Sequence, residues 1–323
     1  MVRVLAAVRA GFVVLLMACA GSGAAAQERG VNIMGGPILS TSYEIAKDIM
    51  SLTAQCGLPA TAHESQGAID NLLELKGRRY TQFALMQTDV LEYLKTYETF
   101  DPQIGQAING IRVAMPLFTQ EVHVVGRKDI ADMAGLSGKR VSIGSKESGT
   151  FYTATLIQRL LGLEFAETLT LDPIESFAAM AAGEIDAFFH VDGAPSPLLQ
   201  TAEFDPDAVH LVPMEDPVLN ATYSPSVVRQ STYPFVTEPV PVVAVESVLL
   251  TYNYILRGRN RYNTDNCQMV SDVTHLIARN INSLAASSHP KWAEVDLSFE
   301  VDDWLYAGCA ERGLNPAYQP ICK

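Results

Sequence analysis

The sequence predicts an α/β protein of two lobes, with hinge strands joining them and a ligand cleft between them. Three observations predict it. Strand-like and helix-like segments alternate in two successive series. Two long β-type runs, 111–125 and 240–250, bracket the second series. Several strand ends open into loops rich in Gly, Ser and Thr that start helices, where open α/β sheets place their ligands.

The first series begins with a short strand over Val31–Met34, closed by Gly35-Gly36-Pro37. Ser40-Thr41-Ser42 supplies an N-cap for a helix reaching about Gln55, with Ile45, Ile49 and Leu52 at helical spacing. A strand near Ala60–His63 and a helix over Gly67–Leu75 follow. A buried strand over Phe83–Met86 then leads into a helix over Thr88–Lys95. The run Ile111–Val125 fits two strands or one long crossing strand.

The second series places strands at Val141–Ile143, Leu169–Leu171 and Ala187–His190, and helices at Thr150–Leu161 and Pro173–Ala182. Residues 213–241, rich in proline and polar residues, read as irregular. A helix near Cys267–Ser287 precedes a loop-rich tail. With the long runs as crossovers, lobe one is 27–125 plus 243–323 and lobe two is 126–242.

Residues 1–26 read as a secretory leader. Arg3 and Arg9 precede an apolar run from Gly11 to Ala20 and a small-residue end at Ala24-Ala25-Ala26, which predicts cleavage after Ala26. Leu16-Met17-Ala18-Cys19 is a rival lipoprotein box that would put a lipid on Cys19. The mature chain is expected in the periplasm. The 323 residues carry a formal charge of −13, and the leader holds only positive charge, so the mature chain is more acidic still. Nucleic acid is a poor partner for such a chain.

Beyond the leader stand Cys56, Cys267, Cys309 and Cys322. They allow three disulfide connectivities, of which Cys267–Cys309 is preferred because it pins the tail onto a helix. No spacing suggests a metal site or cofactor, and no Gly-x-Ser-x-Gly, His-Glu-x-x-His or Rossmann glycine motif is present. No catalytic residue is assigned.

The candidate binding residues lie in the strand-to-helix loops. In the second series Lys146, Ser148, Gly149 and Thr150 precede or open a helix, whose first N–H groups and dipole favour an anion. Ser148 or Thr150 as a plain cap is an equal reading of the same residues, and both can hold together. Gly36, Ser40, Thr41, Ser42 and Tyr43 form the equivalent loop in the first series. Ser65-Gln66 and Gln87-Thr88 follow two further strand ends. His190, Asp192 and Gly193 run from a buried strand into a turn, and His190 reads as a satisfied buried histidine ahead of a ligand contact.

Taken together, the ordered segments Met34–Pro37, Thr81–Val90, Glu121–Val125, Leu136–Val141, Gly144–Phe151, Ala181–Phe189, Thr232–Pro234, Pro241–Val245 and His289–Trp292 resemble the TAXI solute receptors of tripartite ATP-independent periplasmic (TRAP) transporters. The resemblance implies a two-lobed periplasmic-binding-protein fold (type II-like) that closes on its ligand. It implies a small organic anion as solute, such as an amino acid, dicarboxylate or 2-oxo acid, and TRAP membrane permease subunits as partners. Pro37-Ile38-Leu39-Ser40 departs from the extra glycines usual in the family's first loop and makes the pocket floor bulkier. Hydroxyls and amides from both lobes are expected to close on the solute carboxylate. Two other classes stay open: a sensory module presenting its closed form to a membrane receptor, and a secreted enzyme on the same scaffold.

Overall fold

The computed structural model describes residues 30–77, 81–254 and 260–321. The expected leader, Cys19 and Cys322 lie outside them. The first series comprises β1 (Val31–Gly36), α1 (Thr41–Gln55), β2 (Ala60–Glu64), α2 (Ala68–Gly77), β3 (Thr81–Gln87), α3 (Thr88–Tyr97) and α4 (Pro102–Gly110). Then come β4 (Ile111–Arg127), β5 (Arg140–Ser142), α5 (Gly149–Leu161), β6 (Glu167–Leu169), α6 (Pro173–Ala182), β7 (Ala187–Asp192) and α7 (Pro197–Gln200). The chain ends with β8 (Val209–Leu211), α8 (Pro217–Thr222), β9 (Ser224–Val228), β10 (Val240–Tyr252), α9 (Arg261–Ser287) and α10 (Gly308–Leu314).

The long apolar run is therefore one crossing strand, and the proline-rich stretch holds α8 and β9. Pro217 sits at the start of α8, where its missing N–H costs nothing, behind the cap Asp216. Pro225 lies in β9, which pairs only with β10 and so tolerates a residue without a donor.

The strands join in the order β2-β1-β3-β10-β4-β7-β5-β6, with β8 on β4 and β9 on β10. β1, β2 and β3 are parallel, as are β5, β6 and β7. β4 and β10 run antiparallel through the centre, from Ala244 opposite Glu121 to Tyr252 opposite Ile111. In lobe one, Ile33, Ile45, Phe83, Phe118 and Trp292 pack on one side of the sheet, and Leu72, Met86, Leu94 and Val248 on the other. In lobe two, Val124, Val141, Ile157, Phe188 and Val243 form a separate core. Along β4 the core changes between Phe118 and Val122, and along β10 between Val245 and Val248.

The crossing point is polar. Thr119 pairs with Glu246 across the two strands. Lys291, only 1% exposed, enters from the turn after α9 and donates to Glu121 at 2.7 Å and to Glu294 at 2.7 Å. Burial pushes the Glu121 carboxyl above its ordinary value even with Lys291 beside it. The second oxygen of Glu121 accepts from the Ala194 N–H at 2.6 Å, so the pair also anchors the turn after β7. Farther back, a disulfide joins Cys267 of α9 to Cys309 of α10.

Away from the crossing strands, hydrogen bonds among the described residues join the lobes at three places. The Thr41 N–H donates to Asp192 at 3.0 Å and the Thr41 hydroxyl to the Gly193 carbonyl at 2.9 Å. The Ile69 N–H donates to the Glu147 carbonyl at 3.1 Å. Asp89 at the start of α3 accepts from the hydroxyls of Thr153 at 2.7 Å and Tyr223 at 3.3 Å. Burial pushes the Asp89 carboxyl up to about 6.

Two predictions follow from these buried charges. Lys291→Met leaves the Glu121 carboxylate without its cation and is expected to cost about 3–5 kcal/mol. Chemical denaturation checks this, and an unchanged free energy would remove the pair as a structural anchor. For Asp89, the folded chain binds the proton at about 6 and the unfolded chain at its ordinary 3.8. Between those values the native state holds a proton that the unfolded state has lost. The stability contribution is thus complete below about 3.8 and is lost as pH rises through about 6. The melting temperature of the wild type should fall relative to Asp89→Asn across that window, and a constant difference would contradict the assignment.

Candidate ligand-binding site

Strand ends and helix starts from both lobes surround a cavity of about 420 Å³. Lobe one contributes the turn from β1 into α1, the turn from β2 into α2, and Gln87 at the end of β3. Lobe two contributes the turn from β5 into α5, the start of α6 and the end of β7. The lobes touch closely here. A Cβ on Gly67 would lie 2.9 Å from the Ser148 Cα, and one on Gly149 would lie 2.2 Å from the Gln87 amide. Gly67 also has φ +132°, which side-chain-bearing residues rarely adopt.

The structure brings eleven of the sequence-derived candidates to the cavity wall: Gly36, Ser40, Ser42, Ser65, Gln66, Gln87, Ser148, Gly149, Thr150, His190 and Asp192. Thr41 and Gly193 stand behind the wall, bonded to each other across the lobes. The N–H of Tyr43 serves the Ser40 cap. Thr88 lines a different cavity, and Lys146 is exposed outside the lining.

The hydroxyls are mostly occupied by the protein itself. Ser40 caps α1, accepting from the Tyr43 N–H while donating to the Pro37 carbonyl at 2.7 Å. Ser148 caps α5, accepting from the Phe151 N–H and donating to the Ser145 carbonyl at 2.7 Å. The Thr150 hydroxyl accepts from the Val191 N–H at 3.0 Å. What these caps leave for a ligand are the N–H groups of Gly149 and Thr150, which have no acceptor within α5. On the floor, Gln87 donates to Gln120 at 2.9 Å, and Gln120 donates to Ser42 at 3.1 Å. Ser65 donates to Asn71, which is held by the Leu85 carbonyl.

Behind the floor a bonded chain fixes the β7 turn. Burial holds His123 down to about 3, so its ring is neutral. Its Nδ1–H donates to the His190 carbonyl, and its Nε2 accepts from the Tyr233 hydroxyl at 2.8 Å. Tyr233 in turn accepts from the Ser196 N–H. The Ser196 hydroxyl donates to Asp192 at 2.8 Å and bonds His190 Nε2 at 2.9 Å. His190 is therefore satisfied within the protein while its ring still faces the cavity. Burial alone would raise the Asp192 carboxyl. Hydrogen bonds from His190, Ser196 and Thr41, with the nearby imidazole, hold it below its ordinary value.

Sequence reasoning missed Gln120, Asn71 and the start of α6. Gln120 lies in the polar stretch Thr119-Gln120-Glu121 of a mostly apolar run, and its inward position depends on pairing across the sheet. The α6 start carried a usable signal. Asp172 caps it through a capping box and Pro173 opens it, the same strand-to-helix pattern as the loops that were singled out. Among the described residues no group of His, Cys, Asp or Glu could hold a metal ion.

A family model described as NMT1-like matches residues 33–256. Among solved structures, Tv2483 bound to L-arginine is 13% identical, covers 85% of this chain and 96% of its own, and gives a TM-score of 0.51. A protein of Bordetella bronchiseptica RB50 is 11% identical over 89% of this chain and 97% of its own, at 0.50. The GluR0 ligand-binding core of Nostoc punctiforme in complex with L-glutamate is 16% identical over 82% and 98%, at 0.46. Identities this low speak to fold alone. The chain belongs to the NMT1-like family and has the two-lobed α/β fold of the periplasmic binding proteins.

Proposed function

We propose that this chain is the solute receptor of a TRAP transporter of the TAXI type. It is exported to the periplasm with its leader removed after Ala26. It captures a small organic anion and passes it to the membrane permease without chemical change. The division into lobes at 27–125 plus 243–323, and 126–242, belongs to the same proposal.

The observation that carries this reading is one cavity built from strand ends and helix starts of both lobes. Such a site binds and encloses, because closure adds contacts from the second lobe that the open form lacks. The N–H groups of Gly149 and Thr150, which find no acceptor within α5, and the second amide N–H of Gln87 and of Gln120 supply neutral donors for a carboxylate. Hydrogen bonds to a charged group contribute roughly 1.5–3 kcal/mol each, so three supply about 4.5–9 kcal/mol, and burial of the rest of the solute on closure must add to them to reach micromolar binding. The hydroxyl bonded to His190, that of Ser196, is fully buried, lies outside the cavity lining and donates to Asp192. Asp192, the buried carboxylate there, is held by the Thr41 N–H and the Ser196 hydroxyl.

Native mass spectrometry of the mature protein, before and after unfolding and refolding, tests the proposal. A small adduct of unaltered mass, lost on refolding and recovered when returned, is the expected result. A chemically converted product would instead indicate an enzyme. No adduct, followed by silence across a panel of carboxylates and amino acids, would transfer the reading to a sensory module.

A further inference from the structure

We infer that the solute is a monocarboxylate with an apolar body, held head-first, rather than a dicarboxylate or a polar amino acid. This inference rests on the receptor reading above and narrows its ligand class.

The buried lining of the cavity combines a few polar groups with apolar ones: Gln87, Gln120 and Thr150 stand beside Leu85, Met86, Val191 and Leu198. The exposed lining includes three large apolar side chains, Ile38 at 49%, Leu39 at 43% and Ile174 at 64%. Ile38 and Leu39 come from the first loop of lobe one, and Ile174 from the first turn of α6 in lobe two. Apolar groups of both lobes thus flank the mouth, and neither set has a packing partner that covers it. Water contact at these residues is unfavourable and is relieved when a ligand's apolar body occupies the space between them.

Charge points the same way. Among the described residues, no Lys or Arg lines the cavity. One carboxylate can be met by the neutral donors of the floor. A second would reach the mouth, where it would meet Ile38, Leu39 and Ile174 instead of a counter-charge. It would also approach the exposed carboxylates of Glu64 and Asp172, which line the same opening. An α-ammonium group on the floor would have to share Asp192, whose oxygens already accept from the Thr41 N–H and the Ser196 hydroxyl. A compact head and an apolar tail match all of these conditions.

Isothermal titration of the refolded, solute-free protein with hexanoate, phenylacetate, succinate and glutamate tests the inference. Hexanoate or phenylacetate should bind at least about tenfold more tightly than succinate or glutamate. Ile38→Ser with Ile174→Ser alters only exposed side chains. It should weaken hexanoate by about tenfold or more and leave the melting temperature unchanged. Tighter binding of succinate or glutamate would overturn the apolar-body inference while leaving the receptor reading intact. So would a double variant with unchanged hexanoate affinity, which would assign the exposed residues to contact with another protein. A native adduct combined with no binding of any of the four acids would overturn the carboxylate class. The absence of any adduct together with no binding of any of the four acids would count against the receptor reading itself.

Discussion

The buried ion pair between Lys291 and Glu121 holds the place where both lobes share the same two strands. Hydrophobic packing organises each lobe separately, because the cores on β4 and β10 change identity on either side of Thr119–Glu121 and Glu246. Between those cores the crossing strands carry Thr119, Gln120, Glu121 and Glu246. Lys291 fills that gap with a charge drawn from the far C-terminal part of the chain, 170 residues from its partner. Since Glu121 also accepts from Ala194, the same pair sets the turn that aims Asp192 and Gly193 at α1. Stability and binding geometry are coupled at that point. An ion pair so deeply buried adds little net stability against a hydrophobic alternative, and its value here lies in specifying one arrangement.

The site follows from the same geometry. Parallel strands deliver their carboxyl ends, and the helix starts that follow them, to one side of the sheet. With two such lobes on common strands, the helix starts face each other. Helix starts carry unsatisfied N–H groups, and the Ser40 and Ser148 caps satisfy only part of them. The result is a floor with hydrogen-bond donors and no fixed cation. It suits a single carboxylate better than a multiply charged solute. The exposed Ile38, Leu39 and Ile174 then act as the walls that select the rest of the molecule.

Much of the fold is legible in the sequence because its signals are local. Ile45, Ile49 and Leu52 repeat at helical spacing and lie buried on one face of α1, and Ser40 caps it as its position suggests. The loops that border the cavity were legible for the same reason, since a glycine or serine between an apolar strand and a helix marks a strand end. Residues whose role depends on distant partners were not legible. Gln120 and Lys291 look like ordinary polar residues until the sheet pairs β4 with β10 and the tail folds back. Of the exposed apolar lining, Ile38 and Leu39 were read into the pocket as its floor, whereas Ile174 was hidden for a different reason. Ile174 in α6 is indistinguishable by periodicity from a core position, and only its 64% exposure separates the two. α8 and β9 escaped because short elements containing proline carry too few residues to show a period.

The central claim is that the two lobes close on the solute through the contact of Gly67 with Ser148. Small-angle X-ray scattering tests it on the refolded, solute-free protein before and after its captured solute is returned, for the wild type and for Gly67→Ala. A Cβ at residue 67 would lie 2.9 Å from the Ser148 backbone and so wedges the lobes apart. The account predicts that the radius of gyration of the wild type falls when solute is added, and that Gly67→Ala stays at the larger value. An equal fall in both proteins, or no change in either, would contradict it.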